Sequence, residues 1–293
     1  MTAAVADFAA PVAPTSPWTA TGAFLRLDLL DSLRSRWVAF TAVVYVCVLG
    51  AFVWLGLRES SVLGFTGLSR VVLNLANAVA VALPLVALVA TSQAIVKPRT
   101  TGFYELFLSL PCRRTEWFRA VVLSRVVVIV GPLVILLLGT WAYGALDGEA
   151  SIGPIVARTL VVTATLAFAF IGIGLWVSSV ANTPERAMVF ALAVWLTATA
   201  LHDFALIGVL LQTRLTPQVV FALAALNPVE TARLAVLSGV DPELSVLGPV
   251  GFWLANTLGP SKMFLLGTCW PAALGALAMW RASARVGRMD LVG

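Results

Sequence analysis

Six long apolar runs constrain the fold of this chain more than any other feature of its sequence. They cover residues 37–57, 71–96, 121–146, 155–181, 187–211 and 263–280. Each is close to the roughly 20 residues that a helix needs to cross the hydrocarbon core of a bilayer. The runs are continuous rather than alternating, which favours helices over the strands of a membrane barrel. The chain is 60% hydrophobic and 11% charged, against about 45–50% and about 25% in soluble domains. The sequence therefore predicts an all-α membrane protein with six transmembrane helices.

Two different segments precede the first apolar run. Residues 1–20 are rich in alanine and proline and lack a basic start, so we expect a disordered tail rather than a signal peptide. Residues 21–293 then form the membrane domain. At its start, Leu25, Leu29, Leu30 and Leu33 share one side of a helix, which predicts an amphipathic helix at the membrane interface. The alternative is a simple extension of the first span.

The basic residues indicate the orientation of the chain. If both termini are cytoplasmic, 13 of the 19 lysines and arginines lie on the inner side of the membrane, and this bias sets the topology of membrane proteins. We therefore expect a multi-pass protein of the cell (inner) membrane. The segment 97–119 is then cytoplasmic, and the segment 212–262 is external. Contact with anionic lipid explains the net charge of +5 without any nucleic acid.

The charged segment 97–119 interrupts the apolar sequence between the second and third spans. Phe103, Leu106, Phe107 and Leu110 recur at the spacing of one helical stripe, and Pro111 closes it. Such a stripe suits insertion into a groove of another protein. The alternative is that the stripe lies on the bilayer, with its arginines against lipid headgroups.

The segment 212–262 contains short helices that are punctuated by proline and glycine. In "LNPVETARLAVLSG", Asn227 is expected to cap a helix that Pro228 begins, with Glu230 in the position of a capping-box acid and Gly239 at the end. Helices on the outer face either shield the bundle or provide a docking platform for an external partner. The sequence leaves these two interpretations open.

Ionisable residues inside the predicted spans are rare, and two of them suggest a pair. Asp203 lies in the fifth span and Arg158 near the outer end of the fourth. Because a charge in a membrane helix is costly, each is expected to face a partner or water. We predict an Arg158–Asp203 pair, with a role in a substrate or gating path as the alternative. His202 is the one histidine of the chain and the three cysteines are scattered, so no self-contained metal site is predicted.

Several of these segments resemble the ABC-2-type permeases, which are the membrane subunits of ABC transporters. "LDLLDSLRSRW", "LGFTGL", "LSLPCRR" and "LNPVETARLAVLSG" occur in the order and spacing of the NosY permeases, which belong to the system that matures nitrous oxide reductase. Asp203 and Arg158 also fall where similar permeases carry an Asp and an Arg. The resemblance covers nearly the whole chain, from about Leu25 to Arg288.

This resemblance implies the partners of the chain. The permease would form a homodimer and bind a separate cytoplasmic ATPase, which holds ATP and Mg. The chain itself has no G-x-x-x-x-G-K-[ST] motif and no cofactor, so it is not expected to be an enzyme. The ATPase-coupling residues would be Phe103, Tyr104, Glu105, Leu106, Phe107, Leu110, Arg113 and Arg114. A periplasmic copper-binding protein would dock at Asn227, Pro228, Glu230 and Arg233, and membrane lipid surrounds the spans.

Other functions are weighed against this one. An ABC-2 exporter of a lipid, drug or peptide has the same fold, and a passive channel or scaffold needs only lipid around the segment 97–119. An intramembrane enzyme lacks support, because paired acids and H-E-x-x-H are absent. The sequence differs from similar permeases just before the ATPase-coupling helix, since "KPRTTG" places Lys97 and Arg99 where those permeases carry acids. We expect a compensating acidic patch on the ATPase.

Overall fold

The computed structural model describes residues 17–34, 43, 46–47, 67–108, 113–146, 152–212 and 215–288. Every regular element in these ranges is helical. The helices, numbered in chain order, are α1 (Pro17–Arg34), α2 (Gly67–Ser92), α3 (Val96–Thr100), α4 (Phe103–Leu108), α5 (Arg114–Leu146), α6 (Ile152–Val180), α7 (Pro184–Leu196), α8 (His202–Gln212), α9 (Pro217–Ala225), α10 (Pro228–Val240), α11 (Gly248–Thr257) and α12 (Gly259–Arg288). A π-helical turn, Thr197–Leu201, joins α7 to α8, and a 3₁₀ turn, Ser245–Leu247, precedes α11.

Five helical segments in the described ranges are long and apolar enough to cross a membrane. They are Ala78–Thr100, Arg114–Leu146, Gly153–Val180, Pro184–Gln212 and Gly259–Arg288. These correspond to five of the six predicted spans, while the first, 37–57, lies outside the described residues apart from three positions. A sixth crossing is possible if α9 and α10, which meet at 116°, form one bent span. Helix α1 begins at Pro17, inside the segment predicted as a tail, and residues 1–16 lie outside the described part.

Helix α6 is the centre of the bundle and contacts α2, α5, α10 and α12. Its Leu166, Phe170, Ile171 and Leu175 are at most 1% exposed. A Cβ added at its Gly172 would lie 2.5 Å from the carbonyl oxygen of a facing residue of α12. Small residues at this interface let the two backbones approach closely, which is how helices associate in lipid without a hydrophobic driving force.

Helix α1 packs on α5 with its polar side. Ser32 is 3% exposed, and both Asp28 and Ser32 bind Arg125 of α5. Leu27 and Leu30 are 57% and 46% exposed. The amphipathic pattern is therefore present, but Asp28 and Ser32 turn towards the bundle, because Arg125 supplies a charged partner there that the helical periodicity alone does not reveal.

Helix α10 lies inside the bundle rather than on its surface. It contacts α6, α12 and α2, and Val229, Thr231, Ala232 and Ala235 are at most 2% exposed. Neither sequence interpretation, a shield or a surface platform, anticipated this position. The small side chains of α10 and the glycines of its neighbours explain it, because a Cβ at Gly267 of α12 would lie 2.5 Å from the Thr231 carbonyl oxygen.

Candidate functional site

The break between α2 and α3 is held by a side chain of the central helix. The Ser178 hydroxyl accepts hydrogen bonds from the backbone N–H groups of Ile95, at 2.9 Å, and Val96, at 3.1 Å. All three residues are buried. Amides at a helix start have no intrahelical acceptor, so α6 provides it. The chain that leads into the segment 97–119 is thereby attached to the centre of the bundle.

Two arginines bind the carbonyl groups at the same end of α6. Arg99 of α3 donates from Nη2 to the Ala181 oxygen at 2.7 Å, and Arg285 of α12 donates from Nε to the Ser179 oxygen at 3.2 Å. Cations are favoured at helix C-termini, where the last carbonyls lack partners. The basic residue Arg99 in "KPRTTG", where similar permeases carry an acid, therefore has a structural role, because its guanidinium binds the end of another helix of the same chain. Lys97 is exposed.

Helix α4 forms the predicted short helix, and its residues divide between the surface and the interior. Phe103 is 50% exposed and Glu105 is exposed, whereas Tyr104 is 4% exposed and packs edge-on against Trp117 at 5.2 Å between ring centroids. Burial raises the pKa of the Tyr104 phenol, and the positive charge of Arg114 opposes that rise. Tyr104 therefore anchors α4 to α5, which leaves Phe103 and Glu105 as the surface that faces outward.

The structure describes the other predicted coupling residues only in part. Leu106 and Phe107 belong to α4, while Leu110 lies outside the described residues. Arg113 is exposed, and its backbone N–H donates to the Glu116 carboxylate at 3.1 Å. Arg114 donates from Nη1 to the Gly287 oxygen of α12 at 3.2 Å. The start of α5 is therefore bound to the end of α12, at the same end of the bundle as α3 and α4.

At the opposite end of α6, Arg158 joins three helices. Its guanidinium donates to the Ala235 oxygen at 2.8 Å, to the Ser238 hydroxyl at 2.8 Å and to the Pro260 oxygen at 2.6 Å. It also lies over the Phe264 ring, 4.9 Å from the centroid. These contacts connect α6 with α10 and with the first turns of α12.

The structure does not bring Arg158 and Asp203 together as the sequence predicted. Asp203 instead lies 3.8 Å from Arg233 of α10, which binds Glu230 at 2.6 Å. Because α10 enters the bundle, it supplies Asp203 with a cation and takes up the guanidinium of Arg158 with its own polar groups. Glu230 thus pairs with an arginine one turn later rather than serving as a capping-box acid.

A π-helical turn precedes His202 and Asp203, and sequence reasoning missed it. In this turn the His202 N–H donates to the Thr197 oxygen, five residues back. Asn227 donates from Nδ2 to the Ala198 oxygen of the turn at 2.6 Å. Such turns are often found at functional sites. "TATAL" carries no signal for it, because the acceptor and its donor are 29 residues apart.

Asn227 also caps α10 as predicted, since its side chain accepts from the Val229 N–H at 2.9 Å. The residue is 4% exposed, so its side chain does not face an external partner in this conformation. Pro228 begins α10, and the helix continues one residue past Gly239, to Val240. Among the described residues, no three His, Cys, Asp or Glu side chains are grouped to hold a metal ion.

Comparison with known proteins adds two findings. The sequence profile described as "ABC-2 family transporter protein" matches residues 23–290. A "Probable ABC transporter permease protein NosY" of Stutzerimonas stutzeri is 28% identical over 242 residues, covering 76% of this chain and 83% of the relative. A protein of the same description from Pseudomonas aeruginosa is 27% identical over 259 residues, covering 86% of this chain and 94% of the relative.

Proposed function

Since this chain belongs to the ABC-2 family of transporter proteins, we propose that it carries ATP-driven motion from a separate ATPase to the opposite face of the membrane. It is a multi-pass permease subunit without an ATPase domain of its own. The excess of basic residues at one side favours cytoplasmic termini and a cytoplasmic position for α3 and α4. The external side then carries α9, α10 and α11.

The single observation that carries this proposal is that α6 connects the two ends of the bundle. Near one end, Ser178 binds the backbone at the start of α3; near the other, Arg158 binds α10 and α12. The two residues are 20 positions apart, or about 30 Å along a helix. A rigid helix attached at both ends transmits a displacement of α4 to α10 without any change in its own length.

The external readout of this motion is the joint between α8 and α10. There the Asn227 side chain binds the π-helical turn, and Asp203 faces Arg233. A shift of α10 therefore acts directly on the turn, and such turns are frequent at functional sites. Pro228, Glu230 and Arg233 are partly exposed at this joint, and we retain them as contacts for an external partner.

We further propose that the chain is NosY-like and assists copper delivery to nitrous oxide reductase through a periplasmic copper-binding protein. The relatives and their coverage support this, since both span most of the chain. A second copy would complete the permease. The span Pro184–Gln212 has none of its most apolar window buried within one copy, so it offers a long face to a partner helix or to lipid.

Two alanine variants test whether α4 docks on the ATPase. Phe103→Ala with Leu106→Ala should abolish co-purification of the ATPase with tagged permease, while membrane insertion stays unchanged. Leu247→Ala with Phe252→Ala is the matched control, because these side chains, 37% and 48% exposed, lie at the opposite end of the bundle. Full retention of the ATPase by the first variant would contradict the coupling role of α4.

Purification in mild detergent from the cell's own membranes distinguishes the finer functions. An ATPase together with an extracytoplasmic copper protein supports the NosY-like function. An ATPase without a copper protein favours an exporter of a lipid, drug or peptide. Recovery of neither, at good yield of the permease, contradicts the transporter function.

A further inference from the structure

A groove of about 560 Å³ lies between α1, the end of α2, α3 and α5. Its apolar wall includes Phe24, Leu27, Trp117 and Val121, and Phe103 of the coupling helix lies at its edge. A volume of this size is typical of small-molecule sites, which span about 300–1,000 Å³. Phe103 is therefore shared between this groove and the surface assigned to ATPase coupling.

We expect the groove to lie at the depth of lipid headgroups. It is formed where the span Ala78–Thr100 ends and within the first turns of the span Arg114–Leu146. Helix α1 closes its side and exposes Leu27 and Leu30 beside it. Tryptophan and arginine are enriched at this depth in membrane proteins. A ligand here has its polar part beside the end of the bundle and its apolar part along Leu27 and Val121.

The charges around the groove define that polar part. Arg125 and Asp28 face each other at 3.4 Å, with side chains 13% and 24% exposed, and neutralise each other. Asp31 and Lys97, on opposite sides of the groove, are exposed. Among the contacts of the described residues, neither of these two side chains has an ion-pair partner. Asp31 and Lys97 therefore place one anion and one cation at the groove.

We infer that this groove binds a zwitterionic phospholipid of the adjacent leaflet, with an ethanolamine-type headgroup. Lys97 receives the phosphate, and Asp31 accepts hydrogen bonds from the primary ammonium, which presents three N–H donors. The acyl chains follow the exposed leucines of α1 into the bilayer. A trimethylammonium headgroup lacks these donors, and a glycerol headgroup lacks the positive charge, so both fit the groove less well.

Binding is measured on the permease in nanodiscs of equimolar phosphatidylethanolamine, phosphatidylcholine and phosphatidylglycerol. Native mass spectrometry after release into detergent should show phosphatidylethanolamine enriched among the retained lipids. Asp31→Asn and Lys97→Gln should each reduce that enrichment about two- to fivefold, the range of an exposed ion pair. Glu243→Gln and Lys262→Gln are matched controls, because both residues are exposed and lie away from the groove.

Each outcome decides the inference. Equal retention of the three lipids, or enrichment that the Asp31 and Lys97 variants leave unchanged, would overturn it. A photo-crosslinking amino acid at position 27 provides the second measurement. It should attach to phospholipid, whereas attachment to another protein chain would assign the groove to a protein segment instead. The inference does not depend on ATPase docking, so its failure leaves the proposed permease function intact.

Discussion

Gly239 lies inside α10 because the side chain of Arg158 passes directly over it. A Cβ at this position would lie 2.5 Å from Arg158 Cδ and 2.8 Å from Arg158 Nε. Gly239→Ala therefore forces the guanidinium away from the three groups it binds on α10 and α12. The loss of stability acts through Arg158, whereas the gain in helix propensity does not, so the net effect depends on whether Arg158 is present.

The expected change in the free energy of unfolding follows from the contacts that Arg158 would lose. Hydrogen bonds between membrane helices contribute about 0.6 kcal/mol each on average, and the contact with the ring of Phe264 adds about 0.5 kcal/mol. Displacement of Arg158 thus costs about 2 kcal/mol. Alanine in a helix gains about 0.5–1 kcal/mol over glycine. Gly239→Ala should therefore destabilise the wild type by about 1–1.5 kcal/mol and stabilise the Arg158→Ala variant by about 0.5–1 kcal/mol, by the same estimates.

A four-protein cycle measures this change of sign. Unfolding of the wild type, both single variants and the double variant is followed by circular dichroism as SDS is titrated into mixed micelles. Gly139→Ala, in α5, is the control, because an added Cβ meets nothing within 4 Å there, and it should behave alike with and without Arg158. If Gly239→Ala has the same effect in both backgrounds, the proposed steric conflict with Arg158 is wrong.

Two further predictions concern the opposite end of α6. Ser178→Ala leaves the buried amides of Ile95 and Val96 without an acceptor and should cost about 2–4 kcal/mol, measured by the same titration. Ser179→Ala, whose hydroxyl binds only within its own helix, should cost less than about 1 kcal/mol, and equal losses would contradict the role of Ser178. Tyr104→Phe should be neutral or stabilising near pH 7, because the buried phenol has no hydrogen-bond partner among the described residues. Burial raises the pKa of Tyr104. The wild type therefore keeps its full free energy of unfolding below about pH 10 and loses part of it as the pH rises through the raised pKa and the buried phenol ionises. SDS titrations at pH 8 and pH 10.5 should show a smaller alkaline loss in the variant, and equal losses would refute this linkage.

Local rules of the sequence predicted much of the fold correctly. The five described spans follow from apolar runs, because lipid requires each crossing segment to satisfy its own backbone. The start of α10 follows from Asn227–Pro228, where the fixed φ of proline suits a first helical turn. The short helix α4 follows from its apolar spacing. Each of these features depends on residues a few positions apart.

Long-range contacts decided the rest. The polar side of α1 turned inward because of Arg125, which is 97 positions from Asp28. Arg158 and Asp203 found different partners because α10 lies inside the bundle and supplies polar groups to both. Neither the π-helical turn nor the two amides bound by Ser178 has a local signal, since each is completed by a side chain from another helix.

The sequence by itself determined that this chain is a helical membrane permease and where most of its helices lie. Hydropathy and capping are local properties, so they can be read along the chain. Only the tertiary structure decided how α6 joins the two ends of the bundle and which residues leave the surface. The physical reason is that every buried polar group needs a partner, and helix packing selects that partner from distant parts of the chain.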